Sequence, residues 1–288
     1  MRDFNYELKQ LCRRNRDGSY ATRADRERIL DLVANQLQEM GFKHMHATSL
    51  KPKHVEALVV RWHAEGISPG TFKNRMVQLR WLAEKTGKRD IIARSNNVYG
   101  IADRVYVTNV SKATELDRER LARIDDPYTQ MSLELEEAFA LRRRESIVMR
   151  PGWADRGDRL VLRPSWGKGR RAREIPIRNA EQRRVLDKAK LLAGNGSLIP
   201  KGMKYVDQLQ RFKAQCDKAG IDHVHGLRHR YAQKRYRELT GWECPANGGP
   251  KSKQLTREQK AIDHEARMTI THELGHGRLQ VVAQYIGK

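Results

Sequence analysis

The spacing of apolar residues is helical along most of the chain and changes to the spacing of a strand only once. Apolar side chains recur every three or four residues in segments such as 22–40 and 68–86, which predicts amphipathic helices. Alternation at 159–163 and 173–177, on either side of a glycine-containing turn, predicts a hairpin. The chain is therefore predicted to be mainly α-helical with a small β-sheet (α+β).

Charge is the property of the composition that limits the choice of partner. The 288 residues include 57 Lys plus Arg and 35 Asp plus Glu, a formal net charge of +22. Such a surface concentrates polyanions, so nucleic acid is the expected partner. Both halves of the chain are cationic and both have apolar periodicity, which favours two folded domains around one polyanion over a basic tail.

Length and composition also predict the domain organisation. A helical DNA-binding domain is expected at 1–108 and a second domain at 109–288, with 87–114 as the linker region. The Gly-, Pro- and Lys-containing stretch 241–255 predicts an exposed loop. No apolar run is long enough for a membrane span, no apolar signal segment opens the chain, and three separated cysteines argue against a disulfide scaffold. We expect a cytoplasmic protein without a membrane partner.

Four short motifs combine residue types that can bind and cleave a phosphodiester. They are Ala140-Leu141-Arg142-x-x-Glu145, Gly167-Lys168-Gly169 in the predicted turn, His225-x-Leu227-Arg228-His229, and Leu274-Gly275-His276 followed by Tyr285. Singly, each has an ordinary structural explanation, such as a solvated arginine or a packed histidine. Together they supply a nucleophile, cations for the phosphate oxygens and an acid for the leaving group.

In this order and spacing the motifs resemble those of the tyrosine recombinases, the phage-integrase family. The resemblance covers roughly residues 112–288 and implies the family's catalytic domain. Residues 50–86 are similar, with less specific motifs, to its helical SAM-like core-binding domain. The implied function is site-specific recombination through a 3′-phosphotyrosyl intermediate, with integration or excision of a mobile element as the context. The interval between Arg228 and His276 is longer than is usual in the family, and places an insertion near 241–266.

The resemblance implies a role for each catalytic group. Tyr285 would attack the scissile phosphorus, and nearby cations would favour its anion. Arg142 and Arg228 would neutralise the non-bridging oxygens in the transition state. Lys168 would protonate the departing 5′ oxygen. Which of the three consecutive arginines 142–144 faces the phosphate depends on the helix register, and the motif favours Arg142.

The remaining predicted residues support this chemistry. His225 would transfer the proton of the tyrosine or of the leaving group, and His276 would hydrogen-bond the phosphate. Glu145 is expected to orient an arginine. His229 is expected on another face of the helix from Arg228, with a structural or phosphate-contact role. Contacts to the DNA backbone are predicted for Lys73, Arg75, Arg80, Arg170 and Arg230.

The implied reaction needs neither a metal nor any other cofactor. The implied partner is double-stranded DNA carrying core sites, bound by a homodimer on each site and by a tetramer in synapsis. Directionality factors and host accessory proteins are further candidates. The expected location is the cytoplasm, in association with the nucleoid.

Three other interpretations of the chain stay open. A type IB topoisomerase-like enzyme would use the same chemistry, and a catalytically inactive DNA-binding module would use only the charge. The segment His272-Glu273-x-x-His276 also matches the zinc-protease pattern. Residues 277–288 contain no Asp, Glu, His or Cys to serve as a third ligand, and Gly275 fits better as the residue that ends a helix.

Overall fold

The structure, a computed structural model, describes residues 3–167 and 171–288. The chain divides into two compact units, residues 1–105 and 106–288, and each has its own hydrophobic core. Two residues predicted from the sequence, Lys168 and Arg170, lie outside the described residues, so their roles stay predictions.

Among the described residues, four α-helices build the first unit. They are α1 (Asp3–Arg14), α2 (Tyr20–Glu39), α3 (Pro52–Ala64) and α4 (Pro69–Lys85). The side chains of Ser19 and Ser68 accept hydrogen bonds from backbone N–H groups in the first turns of α2 and α4. Proline begins α3 and α4, where a missing N–H leaves no helical bond unmade. These local signals explain why the predicted helices begin where they do.

The apolar faces of these helices meet in one core. Leu30, Leu58, Trp62 and Met76 are fully buried in it. Trp62 also donates from Nε1 to the side-chain oxygen of Gln36 over 2.8 Å, which satisfies its polar atom inside the core. Each such large side chain contributes about 1.5–3 kcal/mol by leaving water.

In the part of the second unit that the structure describes, the regular elements are helices and one hairpin. Its helices are α5 (Arg118–Ala122), α6 (Pro127–Phe139), α7 (Arg143–Val148), α8 (Pro151–Ala154), α9 (Ala180–Ala193), α10 (Tyr205–Ala219), α11 (His225–Thr240), α12 (Arg257–Glu273) and α13 (Ala283–Ile286). Strands β1 (Arg159–Leu162) and β2 (Arg173–Pro176) pair antiparallel, with Leu160 opposite Ile175 and both side chains buried. The predicted fold class, mainly helical with a small sheet, is confirmed.

The main core of the second unit includes the segment that carries Tyr285. Leu135 and Phe139 of α6, Ile270 of α12 and Ile286 of α13 are all fully buried in it. Because Ile286 is the neighbour of Tyr285 in the chain, its burial fixes the backbone of the predicted nucleophile against the core.

The prediction of an exposed loop at 241–255 is wrong in its central part. Cys244 and Ala246 are buried and belong to the same core as Tyr285. A β-carbon added at Gly249 would lie 1.6 Å from the carbonyl oxygen of Glu243, so the turn can close only on glycine. The segment folds as two short 3-10 turns, 245–247 and 252–254. Its few apolar residues have no helical or strand period, which is why burial left no pattern in the sequence.

The ends of two elements are set locally. Helix α6 ends at Phe139, because Ala140 adopts a left-handed conformation with φ of +49°. The segment that precedes Tyr285 forms a 3-10 turn at 279–281 before α13 begins. No helix in the described ranges is long and apolar enough to cross a membrane.

Candidate active site

A sharp turn between α6 and α7 presents Arg142. After the left-handed residue Ala140, Arg142 occupies the position that precedes α7. Glu145, in the first turn of α7, accepts hydrogen bonds from the backbone N–H of Arg142 over 2.8 Å and from its Nη1 over 2.7 Å. One carboxylate therefore caps the helix and orients the guanidinium.

Arg228 lies in the first turn of α11 and is almost completely buried, with 1% of its surface exposed. Its Nη1 donates to the carbonyl oxygen of Ala140 and its Nη2 to that of Leu274, and Nη2 also lies 3.3 Å from Nε2 of His276. Burial, followed by the positive charge of Arg142, lowers its pKa. Its Nε has no partner among the described residues. A buried cationic donor without a partner indicates a place for an acceptor from outside.

The carbonyl oxygen of Leu274 is the point where three guanidinium groups meet. It accepts from Nη2 of Arg142 over 3.3 Å, from Nη1 of Arg173 over 2.5 Å and from Nη2 of Arg228. Leu274 ends α12, and Gly275 follows with φ of +64°, as predicted for a helix end. The last carbonyl groups of a helix carry partial negative charge, so the end of α12 attracts cations from distant parts of the chain.

Sequence reasoning missed Arg173 of β2. Arg173 is 6% exposed and donates from Nη2 to Glu145 over 2.5 Å. Burial lowers the pKa of Arg173 to about 9, against the opposing attraction of Glu145. One signal was available: the alternation that turns Ile175 to the core turns Arg173 the same way, so a charged residue stands in register with buried ones.

Tyr285 lies among three imidazole rings. Its hydroxyl oxygen is 3.3 Å from Nε2 of His225. The ring centroids of His229 and His276 are 4.5 Å and 5.2 Å from that of Tyr285, and the guanidinium carbon of Arg228 is 5.7 Å from it. The structure thus brings the predicted nucleophile, Arg228 and the three predicted histidines together, and the shared Leu274 carbonyl adds Arg142.

Each of these histidines is held in its neutral form. Burial is the largest cause: it lowers the pKa of His225, that of His229 to about 4 and that of His276 to about 3. For His225 and His276, the charges of Arg228 and Arg142 lower it further. A neutral imidazole can accept a proton, and His225 is the one that lies beside the tyrosine hydroxyl.

His229 lies beside the ring of Tyr285, and its structural or phosphate-contact role stays a prediction. His225 and His229 are four residues apart on α11 and so share one face, on which the ring of Tyr285 rests. The three consecutive arginines make different contacts. Arg143 stacks 5.1 Å from the ring centroid of Phe212, and the guanidinium of Arg144 lies 5.8 Å from that of Tyr205, so neither joins Arg142 at the Leu274 carbonyl.

The four described residues predicted to contact DNA all make bonds within their own unit. Their described partners are Asp103 for Lys73, Glu65 for Arg75, Ala93 and Asn96 for Arg80, and Glu115 and Glu137 for Arg230. The carboxylate that faces Lys73 is 93% exposed, so a phosphate could replace it there. Arg80 is half-buried and holds a turn in place. Contact of these residues with DNA stays a prediction.

The residues that match the zinc-protease pattern at 272–276 bind other protein groups instead of forming a metal site. Glu273 is 4% exposed and accepts hydrogen bonds from the hydroxyl of Tyr231 over 2.8 Å and from Nε of Arg235 over 3.0 Å. His276 faces Arg228 instead. Within residues 3–167 and 171–288, no three His, Cys, Asp or Glu side chains are grouped so as to hold a metal ion.

The charges of the site do not balance. Arg142 and Arg173 share the single carboxylate of Glu145, and Arg228 pairs with none of the described carboxylates. Burial raises the pKa of the nearby Glu136 to about 8, which favours the neutral form of that carboxyl. Buried positive charge of this kind is stabilised by an incoming anion. A phosphodiester presents two oxygens that match the arginine donors.

Comparison with known proteins supports the fold at two levels. Residues 1–92 match the family described as phage integrase, N-terminal. No match was found among curated protein sequences.

Solved structures match the whole chain. A lambda integrase dimer bound to a COC′ core site has a TM-score of 0.61 and 15% identity over 96% of this chain and 76% of that one. XerH site-specific recombinase bound to difH substrate has a TM-score of 0.56 and 14% identity, and the match covers 98% of this chain and 80% of that one. The Tn1549 transposon integrase in complex with circular intermediate DNA has a TM-score of 0.55 and 16% identity, and the match covers 100% of this chain and 96% of that one. The chain therefore has the fold of the tyrosine recombinases, and the predicted resemblance is confirmed at that level.

Proposed function

We propose that the chain is a site-specific DNA recombinase that cleaves and rejoins strands through a 3′-phosphotyrosyl intermediate on Tyr285. The observation that carries the proposal is the pocket in which Arg228, His225 and His276 surround the Tyr285 ring, with Arg142 joined to it through the Leu274 carbonyl. Residues that lie far apart in the sequence meet there around one hydroxyl group. The fold shared with recombinases supports the same reaction.

Cleavage would begin with attack of the Tyr285 oxygen on the scissile phosphorus. His225 would accept the tyrosine proton, since its lowered pKa keeps it unprotonated at neutral pH. Arg142 and Arg228 would neutralise the charge that develops on the non-bridging oxygens, with the free Nε of Arg228 as one donor. The bond to the 5′ oxygen breaks as the new bond forms, and Lys168 would give that oxygen its proton.

Rejoining would reverse these steps. The phosphotyrosyl ester keeps the energy of the broken bond, so the 5′ hydroxyl of another strand can attack it without a nucleotide cofactor. Nε2 of His276, within 3.3 Å of Arg228, would hold that guanidinium in place for both steps, besides the phosphate contact predicted for it. Glu145 would do the same for Arg142.

The proposed substrate is double-stranded DNA with a core site, bound by a homodimer and exchanged in a tetramer. Lambda integrase was solved both as a dimer on a core site and as a tetramer bound to a Holliday junction. With the phage-integrase match of residues 1–92, this favours a core-binding role for the first unit and integration or excision of a mobile element. Accessory directionality proteins and a place on the nucleoid belong to the same proposal.

The decisive experiment selects the recombination site and detects the adduct together. Nicked duplexes with randomised sequence around the nick are incubated with the protein in EDTA, and DNA that stays attached to denatured protein is recovered and sequenced. We expect adducts from the wild type and from Tyr20→Phe, whose ring is 82% exposed in the first unit, and none from Tyr285→Phe. Adducts that persist in Tyr285→Phe would reject the nucleophile.

The same experiment separates the other interpretations. Binding of the library without any adduct indicates a DNA-binding module. Relaxation of supercoiled plasmids that lack the selected sequence indicates a topoisomerase-like enzyme. Activity that EDTA abolishes indicates a metal site.

A further inference from the structure

A stretch near the start of the second unit, residues 109–114, touches both the Tyr285 segment and the start of α11. We propose that this stretch, the strap, is a positioning element that sets the Tyr285 backbone and the His225 turn for the cleavage reaction. The inference rests on the proposed function, because it concerns the alignment of the same nucleophile. The hydrogen bonds on which it depends all lie within the second unit.

The strap bends at Asn109, where φ is +54°, and keeps one face toward the protein. Side chains at 107, 109, 111 and 113 are half-buried, whereas those at 106, 108, 110 and 112 are exposed. This alternation is that of a strand, although the strap belongs to no sheet among the described residues. Its inward-facing side chains therefore contact the rest of the second unit.

The first contact reaches Tyr285 through one buried glutamine. Ser111 donates from Oγ to the side-chain oxygen of Gln233 over 3.0 Å. The amide nitrogen of Gln233 in turn donates to the backbone carbonyl of Tyr285 over 3.0 Å. Gln233 is 5% exposed, so both of its bonds form away from water, where a missing partner is costly. The hydroxyl of Ser111 thus fixes which way the amide points.

The second contact holds the residues that follow Tyr285. The side-chain oxygen of Asn109 accepts the backbone N–H of Lys288 over 2.8 Å. Gly287 is packed so closely that a β-carbon there would lie 2.7 Å from that same oxygen and 2.7 Å from the backbone nitrogen of Ala246. With φ of +84°, the position also demands glycine. The end of the Tyr285 segment is therefore held between the strap and the buried turn at 245–247.

The third contact fixes the start of α11. The backbone N–H of Thr114 donates to the carbonyl of Gly226 over 3.2 Å. A β-carbon at Gly226 would lie 2.4 Å from Oγ1 of Thr114 and 2.8 Å from the carbonyl oxygen of Lys112, so the strap can approach only a glycine. His225, whose Nε2 faces the tyrosine hydroxyl, is the preceding residue. One strap thereby sets both members of the Tyr285–His225 pair.

The position of the strap in the chain adds a consequence. The first unit ends at residue 105, so only residues 106–108 separate the strap from it along the chain. Movement of the strap would change the tyrosine carbonyl and the His225 turn together. Proper seating of the strap would then favour cleavage on bound DNA.

The test compares Ser111→Ala with two matched variants. Val110→Ala changes the neighbouring side chain, which is 67% exposed, and Ser111→Thr keeps the hydroxyl. Hydrogen exchange of the peptide 279–288 is measured by mass spectrometry without DNA. We expect exchange to be roughly fivefold faster in Ser111→Ala, as for loss of one net hydrogen bond, and near wild type in the other two. Equal exchange in all four proteins would overturn the proposal.

Kinetics then ask whether this alignment matters for the reaction. With a nicked duplex selected from the random library, Ser111→Ala should form the adduct roughly fivefold more slowly at saturating DNA, with an unchanged Kd. Ser111→Thr should restore the rate. A change in Kd alone, or equal rates in Ser111→Ala and Val110→Ala, would reject the positioning role.

The two proposals fail in different ways. Faster exchange in Ser111→Ala together with no adduct from the wild type would support the strap contacts and reject the proposed function. A wild-type adduct with no effect of Ser111→Ala on exchange or rate would do the reverse.

Discussion

Both units bury arginines, but they treat the charge differently. In the first unit Arg26 is 5% exposed and contacts the carboxylate of Asp17 at 3.3 Å, the oxygen of Gln78 at 3.2 Å and the ring of Trp81 at 4.1 Å. In the second unit Arg228 is 1% exposed, and its described partners are two backbone carbonyls and a neutral histidine. One arginine is neutralised by the fold, whereas the other keeps its charge available.

The difference teaches how to tell a structural cation from a functional one. A buried charge that has its own carboxylate completes the fold. A cluster that shares one carboxylate among several arginines is stable only because carbonyl dipoles hold it, and it remains attractive to an anion. The Leu274 carbonyl holds the three arginines together without neutralising their charge. A second carboxylate in its place would neutralise part of that charge.

The most demanding test of this difference replaces one buried arginine in each unit with lysine. Arg228→Lys keeps the charge but loses the planar fork, and should slow adduct formation by ~10²–10³, as for removal of an oxyanion donor. Arg26→Lys should lower the free energy of unfolding by about 1 kcal/mol and leave the adduct rate per folded molecule unchanged. Single-turnover adduct formation and chemical denaturation measure the two effects. Similar rate losses in both variants would contradict the distinction.

A second prediction concerns Glu136, the carboxyl beneath the site that does not neutralise the arginines. Its pKa is ordinary in the unfolded chain and about 8 in the folded one, so its contribution to stability is present below pH 4.5 and is lost as the pH rises towards 8. Glu136→Gln keeps an acceptor for Ser146, which donates over 3.1 Å, and should raise the free energy of unfolding at pH 8 by on the order of 2 kcal/mol.

The gain in Glu136→Gln should shrink towards pH 5, where the wild-type carboxyl approaches protonation in both states. Urea denaturation at several pH values provides the measurement. A variant that is less stable than the wild type at pH 8 would show that this carboxyl is ionised and does share in neutralising the cluster.

A third prediction tests whether Arg173 belongs to the cluster. Arg173→Gln removes its bonds to Glu145 and to the Leu274 carbonyl, and should slow adduct formation by roughly tenfold at saturating DNA. Arg159→Gln, whose side chain is 48% exposed on the partner strand, serves as the matched control and should keep the wild-type rate. Equal rates in the two variants would remove Arg173 from the site.

The smallest expected effect is on the pH profile. His225 has a pKa below its ordinary 6.5 and accepts a proton only when it is unprotonated. The adduct rate should be flat near pH 7 and fall as the pH drops below 6.5 through that lowered pKa, by about threefold at the acid end. Circular dichroism at each pH controls for unfolding. An acid limb that is unchanged in His225→Ala would assign the proton to another group.

Much of this was predictable from local sequence signals. Ser68 and Pro69 fixed the start of α4, and the alternation at 159–163 and 173–177 located the hairpin. The six proposed catalytic residues came from motifs of side chains, and five of them lie in the described residues.

What the sequence could not show depends on backbone groups. The Leu274 carbonyl leaves no mark in its residue type, so the meeting of three arginines there was invisible. Burial of Cys244 and Ala246 follows from their place in the core that also contains Ile286 rather than from any period. Arg173 was hidden because charged residues in strands usually face water.

The most direct test is the identity of the residue that becomes attached to DNA. Adducts formed in EDTA are treated with nuclease and trypsin, and the peptide 279–288, in which Tyr285 is the only tyrosine, is analysed by mass spectrometry. We predict a 3′-nucleotide phosphate on Tyr285 in the wild type and a much lower yield of it at matched times in Arg228→Lys. A nucleotide on any other residue, or DNA cleaved with no nucleotide on this peptide, would contradict this prediction.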